Sequence, residues 1–276
     1  MTLLVTGATG NIGRKVIAHL LERGQRVRAL SRTPSRSALP PVVEVFEGDL
    51  TAPATLGPAL QGVTAVFLIT HDGPRYAPLQ TGQALIQLIH EHGVRRVVTL
   101  WRGERGTIEA ALESSSQLEW TQLEPSDFMS NMLHWAESIR SHHRVQEPYP
   151  HSRCALIHEQ DVAEVAARVL VEDGHHGRVY RLTGSEALTI PQRVHILKET
   201  LGRDIAYVEL SDAQARERWR DMGFGPDFIE LLATWHDNPL AYTLTNAVEK
   251  VLGRPPLRFD TWAQEHVAAF RAPAAL

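Results

Sequence analysis

The chain has 276 residues, 43% of them hydrophobic, and a formal net charge of −4. Its length suits one large α/β domain, alone or with a small appended lobe, and its charge gives no electrostatic reason to expect a nucleic acid or an anionic membrane as partner. Cys154 is the single cysteine, which excludes an internal disulfide and favours a cytoplasmic protein. The chain opens directly into a predicted strand and lacks an apolar run of bilayer-spanning length, so we expect neither a signal peptide nor a membrane anchor.

The first thirty residues predict a strand, a glycine turn, a helix and a second strand. The apolar run at residues 3–5 is typical of a buried strand, and apolar residues then recur at helical spacing as far as Gly24. Between the two lie Gly7, Gly10 and Gly13. In this context the glycines let the backbone approach a pyrophosphate, and the helix N-terminus favours an anion. The pattern predicts dinucleotide binding; the alternative is a turn whose glycines serve only close packing.

Two arginines follow the second strand of this unit. In NAD-binding units an acidic residue about 20 positions after the glycines binds the ribose hydroxyls. Here the strand ends at Ser31 and is followed by Arg32, with Arg36 close behind. A guanidinium suits a 2′-phosphate, and a charge-assisted hydrogen bond of this kind contributes roughly 1.5–3 kcal/mol. The sequence therefore favours NADP(H), although two solvated loop arginines are the alternative.

The alternation of strands and helices continues along the chain. Further strands are predicted over residues 42–46, 65–69, 94–100 and 118–123, and a helix over residues 79–92. This order implies a doubly wound parallel sheet, whose ligands bind beyond the carboxyl ends of the strands.

The second half of the chain is less regular. A helix is predicted over residues 129–139 and an exposed loop over residues 142–152. Asp161 is predicted to cap an apolar helix, and Thr189 to open another with Pro191 in its first turn. A late strand is predicted over residues 179–182, and the last sixty residues are mostly helical.

The sequence resembles the NmrA-like branch of the atypical short-chain dehydrogenases/reductases (SDRs) over nearly its whole length. The motifs that carry the resemblance are VTGATGNIGR, EGDL, LEWTQLEPSDFMSNML, DVAEVAARVL, YRLTGSEALTI and GRPPLRFDTWA. The resemblance implies an α/β fold, a doubly wound parallel sheet of the Rossmann type with a small, mostly helical C-terminal lobe. It implies an NADP(H)-binding Rossmann domain over residues 1–150 and a substrate-side lobe over residues 151–276 that is interleaved with the Rossmann core.

The resemblance also implies roles for individual residues. Those along the pyrophosphate are Thr9, Gly10, Asn11 and Ile12. Asp49 and Leu50 flank the adenine, and Ile69 and Thr70 pass the nicotinamide ribose. The segment from Pro125 to Phe128 closes over the nicotinamide. The chain departs from the family at Glu124, where related chains usually have Arg before the Pro.

The acid of the SDR family is missing from this sequence. SDR enzymes use a Tyr with a Lys four residues later, which lowers the pKa of the phenol. The lysines are Lys15, Lys198 and Lys250, and the residues four positions before them are Asn11, Val194 and Asn246. Weak candidates for another acid are His71, Arg102 and His134, each of which is more commonly a solvated or structural residue. The adjacent histidine pairs lack metal-ligand spacing, so no metal is expected.

Two functions from different classes fit these features. The first is an NADPH-dependent reductase of a conjugated carbonyl, such as an aromatic polyketide ketone or a quinone, acting as a monomer or weak homodimer on a planar small molecule. Phe128, Met132 and Trp135 at helical spacing, with Met129 and Asn131 beside them, are the predicted substrate residues; the alternative is that this face is ordinary core. The second function is a non-catalytic, NADP(H)-sensing regulatory protein of the NmrA type.

Overall fold

A computed structural model describes residues 1–73, 76–101, 103–235 and 238–271. Within them the strands are β1 (Thr2–Val5), β2 (Arg26–Ser31), β3 (Glu44–Glu47), β4 (Ala65–Ile69), β5 (Arg96–Leu100), β6 (Glu119–Pro125), β7 (Arg144–Glu147), β8 (Arg153–Cys154), β9 (Arg178–Leu182), β10 (Leu188–Thr189) and β11 (Ala206–Glu209).

The α-helices of the same residues are α1 (Asn11–Glu22), α2 (Gly57–Leu60), α3 (Gly82–Glu91), α4 (Thr107–Ser114), α5 (Ala136–His142), α6 (Glu159–Val171), α7 (Ile190–Leu201), α8 (Asp212–Asp221), α9 (Pro226–Trp235), α10 (Pro239–Tyr242), α11 (Ala247–Leu252), α12 (Phe259–Glu265) and α13 (Val267–Phe270). The described residues also include the 3-10 helices Pro34–Arg36, Pro53–Leu56 and Met129–Trp135. Among the described residues, every helix is too short or too polar to span a bilayer.

The main sheet is parallel and has the strand order β3-β2-β1-β4-β5-β6-β9. Its central strands are apolar on both sides, as β4 shows with Val66, Phe67 and Leu68 each at most 1% exposed. Strands of this kind need helices on both faces of the sheet. The doubly wound parallel sheet predicted from the sequence is therefore confirmed, with the late strand β9 at its edge.

The chain divides into two compact units, each with its own core. Unit 1 comprises residues 1–125, 159–182 and 247–254, and unit 2 the described residues of 126–158, 183–246 and 255–276. In unit 1, helices α1 and α6 pack together, as do α3 and α4. The division falls after β6, earlier than the predicted boundary at residue 150, because Met129, Met132 and Ile139 pack in the core of unit 2.

The sequence and the structure differ at three further places. The helix predicted over residues 129–139 is a 3-10 helix followed by α5. The loop predicted over residues 142–152 contains β7, which pairs with β11. Asp161 lies inside the first turn of α6 and is fully buried, so it is not the N-cap that the sequence suggested. Thr189 does cap α7 as predicted, and its hydroxyl accepts the N–H of Gln192 at 3.3 Å.

Candidate cofactor and active site

The glycine turn after β1 is shaped by close backbone contacts. Gly7 has φ +59°, a left-handed conformation that glycine adopts without strain, and its carbonyl oxygen accepts the N–H of Gly10 at 3.0 Å. A Cβ atom at Gly13 would lie 2.2 Å from the same oxygen. Gly10 is the N-cap of α1 and has no side chain that could cap the helix. The backbone cradle and the helix N-terminus together fit a dinucleotide pyrophosphate.

The four residues expected along the pyrophosphate differ in exposure. Thr9, Gly10 and Asn11 are exposed, so their backbone or side chains can meet a ligand directly. Ile12 is only 8% exposed and packs inward from the first turn of α1. Its predicted contact with a pyrophosphate can therefore involve only its backbone N–H.

Arg14 ties the glycine turn to the loop that follows β2. Its guanidinium donates to the carbonyl oxygens of Thr9 at 2.9 Å, Ala38 at 2.8 Å and Ser37 at 2.7 Å. Sequence reasoning missed this residue because two of its partners lie more than twenty residues away and are backbone atoms. The contacts hold the loop with the two predicted phosphate-binding arginines against the glycine turn.

Arg32 and Arg36 lie exposed on that loop. Arg32 donates through Nη1 to the carbonyl oxygen of Asp72 at 3.2 Å, in the turn after β4. Arg36 ends the short 3-10 helix of the loop. A guanidinium binds a phosphate more strongly than a neutral carbonyl, so Arg32 can exchange its present partner for a 2′-phosphate.

The ends of β3 and β4 carry the other predicted cofactor residues of this half. The Asp49 carboxylate accepts the N–H and the hydroxyl of the residue two positions on, each at 2.8 Å, and so stabilises its own turn. Leu50 and Thr70 are buried. Ile69 packs directly on the glycine turn, since its Cγ2 is 2.9 Å from where a Cβ at Gly7 would lie.

Strand β6 ends at Glu124 and Pro125, which are both half-buried. The Glu124 carboxylate accepts a hydrogen bond from Nε2 of Gln122 at 2.7 Å, two positions back on the same side of the strand. This carboxylate stands where the resemblance leads one to expect Arg. The hydrogen bond shows how the strand accommodates the change.

The segment after β6 exposes a different face from the one predicted. A 3-10 helix has three residues per turn, so Met129, Met132 and Trp135 share a face. These three side chains are 2%, 4% and 3% exposed and belong to the core of unit 2. The predicted face of Phe128, Met132 and Trp135 assumed α-helical spacing, and the structure corrects it. The three core residues can support a substrate site from behind, but they do not line an open surface.

A neighbouring face of the 3-10 helix is accessible. Phe128 is its half-buried N-cap, and Asn131 and His134 follow at the same spacing of three and are exposed. Nδ2 of Asn131 donates to Oδ1 of Asp127. Asp127 lies in the segment 125–128, which the resemblance places over the nicotinamide.

Glu147 on β7 gathers three side-chain donors. Its Oε1 lies 2.8 Å from Nε2 of His134 and 2.9 Å from Nε1 of Trp135, and its Oε2 lies 2.6 Å from Nη2 of Arg218. Burial alone would raise the pKa of Glu147. The hydrogen bond from His134 and the positive charge of Arg218 outweigh burial and lower it.

Both ring nitrogens of His134 face acceptors, the Glu147 carboxylate and the carbonyl oxygen of Asn131. Because neither acceptor can donate, the two contacts favour the imidazolium form with two N–H donors. Burial opposes the charged form, but the two hydrogen bonds raise the pKa of His134. Both protons are bound within the protein, so the structure favours a structural cation at this position over a proton donor to substrate.

Glu147→Gln should destabilise the protein most between about pH 5 and pH 6.5. The lowered pKa of Glu147 means that its stabilisation is present above the ordinary carboxyl pKa and is lost as the pH falls through the lowered value. The raised pKa of His134 means that its stabilisation is present below its ordinary pKa of 6.5 and is lost as the pH rises through the raised value. We expect a loss of roughly 2–3 kcal/mol in this window, typical of a charged hydrogen bond, and a smaller loss at pH 9.

Urea unfolding at pH 4, 6 and 9 measures this difference. Glu137→Gln is the matched control, because Glu137 pairs with Arg140 at the surface of α5 and should contribute little at any of the three pH values. A Glu147→Gln loss that is equal at pH 6 and pH 9 would show that His134 does not take part.

The other two weak candidates for the missing acid are His71 and Arg102. Nδ1 of His71 accepts the N–H of Gly73 at 3.0 Å, which leaves the proton of the neutral ring on Nε2, and the ring contacts Tyr76 with centroids 4.1 Å apart. Arg102 lies outside the described residues. Within the part of the chain that the structure describes, no group of three or more His, Cys, Asp or Glu residues is placed to hold a metal ion.

Comparison with known proteins agrees with this geometry. Residues 7–106 match a family model described as NAD(P)H-binding. A (4-alkanoyl-5-oxo-2,5-dihydrofuran-3-yl)methyl phosphate reductase from Streptomyces griseus is 34% identical over 286 aligned positions, which cover 97% of this chain and 99% of the relative. An NAD(P)H azoreductase from Xenophilus azovorans is 31% identical, with 98% and 99% covered.

The solved structure of NmrA, a negative transcriptional regulator, in complex with NADP has the same fold. Its TM-score is 0.75 at 17% identity, and the match covers 97% of this chain and 95% of NmrA. The chain belongs to the NmrA-like atypical SDRs. It is an oxidoreductase of that family with an NAD(P)H-binding domain.

Two tyrosines of this NmrA-like SDR, Tyr149 and Tyr207, are not activated as acids. Tyr149 donates to the carboxylate of Asp212, and Tyr207 donates to the carbonyl oxygen of Glu147 at 2.8 Å. Burial raises the pKa of both phenols to about 12. The tyrosine of an SDR dyad needs the opposite shift, so neither residue replaces it.

The cofactor preference of this NmrA-like SDR should depend on Arg32. We expect the unmodified enzyme to bind NADPH at least ~10-fold more tightly than NADH, a difference of about 1.4 kcal/mol, because only NADPH presents a 2′-phosphate to the guanidinium. Arg32→Ala should remove most of this preference and spare NADH binding. Arg26→Ala is the control, since Arg26 begins the strand that precedes Arg32 and pairs with Glu44. Equal affinities in the unmodified enzyme would contradict the assignment.

Proposed function

We propose that this enzyme transfers a hydride from NADPH to a flat, conjugated carbonyl compound, such as a quinone or an aromatic polyketide ketone. The observation that carries the proposal is the pair of relatives that are more than 30% identical over almost the whole chain. One is a reductase of an alkanoyl-oxo-dihydrofuran, and the other reduces azo compounds. Both substrate classes have a conjugated acceptor.

The chemistry of a conjugated acceptor supports the same substrate class. NADPH, when bound, supplies the hydride. A quinoid or enone substrate spreads the resulting negative charge over its conjugated system, so the anion is weakly basic and water or the substrate's own phenol can protonate it. The protein then contributes mainly proximity and orientation, which can supply roughly 7–11 kcal/mol. An enzyme without the Tyr-x-x-x-Lys dyad is suited to such substrates.

The accessible face of the 3-10 helix is the proposed substrate surface. Phe128 offers an aromatic ring and Asn131 an amide, which suits a planar apolar ligand with one polar anchor. Met129, Met132 and Trp135 hold this helix in the core of unit 2, so the surface is rigid. We propose that the enzyme acts on its small-molecule substrate as a monomer or weak homodimer.

A panel of acceptors tests the proposal. NADPH absorbance is followed in a stopped-flow instrument with 1,4-naphthoquinone, a hydroxylated polycyclic ketone and a simple aliphatic ketone. We expect the first two to be reduced and the aliphatic ketone to react far more slowly. Phe128→Ala should slow the polycyclic ketone more than the quinone, because the larger ring system covers more of the aromatic face.

Two outcomes would count against this function. Faster reduction of the aliphatic ketone would refute a preference for conjugated acceptors. Tight NADPH binding without oxidation by any acceptor would support instead the NADP(H)-sensing role, which the sequence leaves open.

A further inference from the structure

A buried arginine of unit 2 has no carboxylate partner. Arg193 is the fourth residue of α7 and is only 6% exposed. Its hydrogen bonds include no ion pair with any carboxylate that the structure describes. Arg96, which is equally buried on β5, shows the usual arrangement and pairs with Glu119 and Asp173. None of the roles assigned above uses the guanidinium of Arg193.

Three contacts hold this guanidinium in place. Nε donates to the carbonyl oxygen of Thr189 at 3.3 Å, and Nη1 donates to Sδ of Met132 at 3.4 Å. The Cζ atom lies 6.0 Å from the centroid of the Trp135 ring, at the outer limit of cation–π attraction. All four residues belong to unit 2. The guanidinium is therefore fixed in direction by partners that carry no charge.

The two terminal nitrogens of Arg193 can still bind a ligand. A thioether sulfur is a weak acceptor on a flexible side chain, so an oxygen can replace Sδ of Met132 as the partner of Nη1. Nη2 makes no hydrogen bond within the part of the chain that the structure describes. It is also absent from the fully buried side-chain atoms that lack a partner, so it keeps contact with solvent. Two such nitrogens in one plane suit the two oxygens of a carboxylate or phosphate.

The positive charge of Arg193 is poorly compensated. A cation near the N-terminus of a helix is opposed by the positive end of the helix dipole. Burial lowers the pKa of Arg193, and attraction by Cys154, Asp127 and Glu147 offsets only part of this effect. The Glu147 carboxylate is already hydrogen-bonded to three other side chains. Because a guanidinium stays protonated in proteins, an anion from solution is the partner that would stabilise it.

We propose that Arg193 is the centre of an anion-binding site in unit 2, which takes the carboxylate or phosphate group of a small molecule. Nη1 and Nη2 each hold one oxygen of that group, while Nε stays on the carbonyl oxygen of Thr189. The site does not depend on the reductase function, because all its residues lie in unit 2 and none of them is a predicted cofactor residue.

The arginine Nε–H resonances in NMR spectra test the site directly. The resonance of Arg193, identified by its absence in Arg193→Lys, should shift and saturate as phenyl phosphate or benzoate is added to the unmodified protein at pH 7. Sodium chloride at the same ionic strength and uncharged benzyl alcohol should not reproduce the shift. The resonance of Arg216 is the matched control, because Arg216 already pairs with Asp212 and Glu230. The probe that binds more tightly identifies the group that the site takes.

Two variants distinguish an anion site from a structural arginine. Arg193→Lys keeps the charge but loses the planar fork, so the probes should bind at least ~10-fold more weakly, as followed through the indole N–H resonance of Trp135. Arg193→Met replaces an unpaired buried charge by an apolar side chain, so its melting temperature in chloride buffer should equal or exceed that of the unmodified protein. Phenyl phosphate should raise the melting temperature of the unmodified protein more than that of Arg193→Met.

Several results would overturn the site. One is an Arg193 resonance that neither phenyl phosphate nor benzoate shifts, and another is a shift that chloride or benzyl alcohol reproduces. Equal affinity of the probes for Arg193→Lys and the unmodified protein would show that the guanidinium does not hold the anion. If Arg193→Met does not fold, the titrations of the unmodified protein and of Arg193→Lys still decide, since neither uses that variant.

Discussion

A Gly13→Ala variant should bind NADPH at least ~100-fold more weakly than the unmodified enzyme, a loss of about 2.7 kcal/mol. The added Cβ would lie 2.2 Å from the carbonyl oxygen and 2.8 Å from the carbonyl carbon of Gly7. Backbone atoms cannot rotate away as a side chain can, and this carbonyl already accepts the N–H of Gly10. The turn must open, which moves the N-terminus of α1 away from the pyrophosphate. Fluorescence titration with NADPH measures the loss.

Two other glycines separate loss of binding from loss of folding. A Cβ at Gly82 would lie 2.2 Å from both the carbonyl carbon and oxygen of Thr107, a clash of the same size where α3 meets α4. Gly82→Ala should lower the melting temperature yet leave NADPH affinity unchanged in the protein that remains folded. Gly57→Ala should affect neither, because its nearest contact would be His92 at 3.7 Å. If Gly82→Ala weakens NADPH binding as much as Gly13→Ala, the turn has no special role.

The sheet and the glycine turn could be predicted because their causes are local. A strand buried on both faces needs a continuous apolar run, and a close backbone approach needs glycine, so both are visible within a few residues. Arg14 could not be predicted in the same way. Its partners are carbonyl oxygens, which every residue has, and only the folded chain brings those of Ser37 and Ala38 to its guanidinium.

The segment after β6 shows a different limit of the sequence. The spacings of four and three between Phe128, Met132 and Trp135 suit an α-helix. Met129 and Met132 are three residues apart, which is equally compatible with a 3-10 helix. The choice between the two helices decides which side chains face a ligand. It depends on distant contacts, such as the hydrogen bonds of His134 and Trp135 to Glu147 on β7.

Two of the motifs that carry the family resemblance are hydrogen-bonded to each other in the folded protein. Asp161 belongs to DVAEVAARVL and Arg254 to GRPPLRFDTWA, 93 positions apart. Nη1 of Arg254 donates to Oδ1 of Asp161 at 2.8 Å, and its Nη2 donates to Glu164 one turn further along α6. Both residues lie in unit 1. The pair therefore anchors the segment with α11 to α6 within unit 1. Asp161 and Arg254 thus have a structural role in their motifs.

Arg254→Met should lower the free energy of unfolding by roughly 1.5–3 kcal/mol, as expected for loss of charged hydrogen bonds from a guanidinium that is itself 34% exposed. The loss arises because Asp161 is fully buried and would lose this guanidinium as a partner, while Met fills much of the space of the arginine stem. Urea unfolding at pH 7 measures it. NADPH affinity should not change, because Arg254 is not one of the predicted cofactor residues.

A second substitution shows whether the charge is the cause. Asp161→Asn combined with Arg254→Met removes both charges, and the double variant should be more stable than Arg254→Met alone, because the buried residue 161 no longer carries a charge. Arg216→Met is the surface control: its partners Asp212 and Glu230 are exposed, so its stability should change little. If the double variant is as unstable as the sum of the two single variants, Arg254 acts by packing and the ion pair contributes nothing of its own. A recovery in the double variant would instead establish that the two family motifs are coupled through charge.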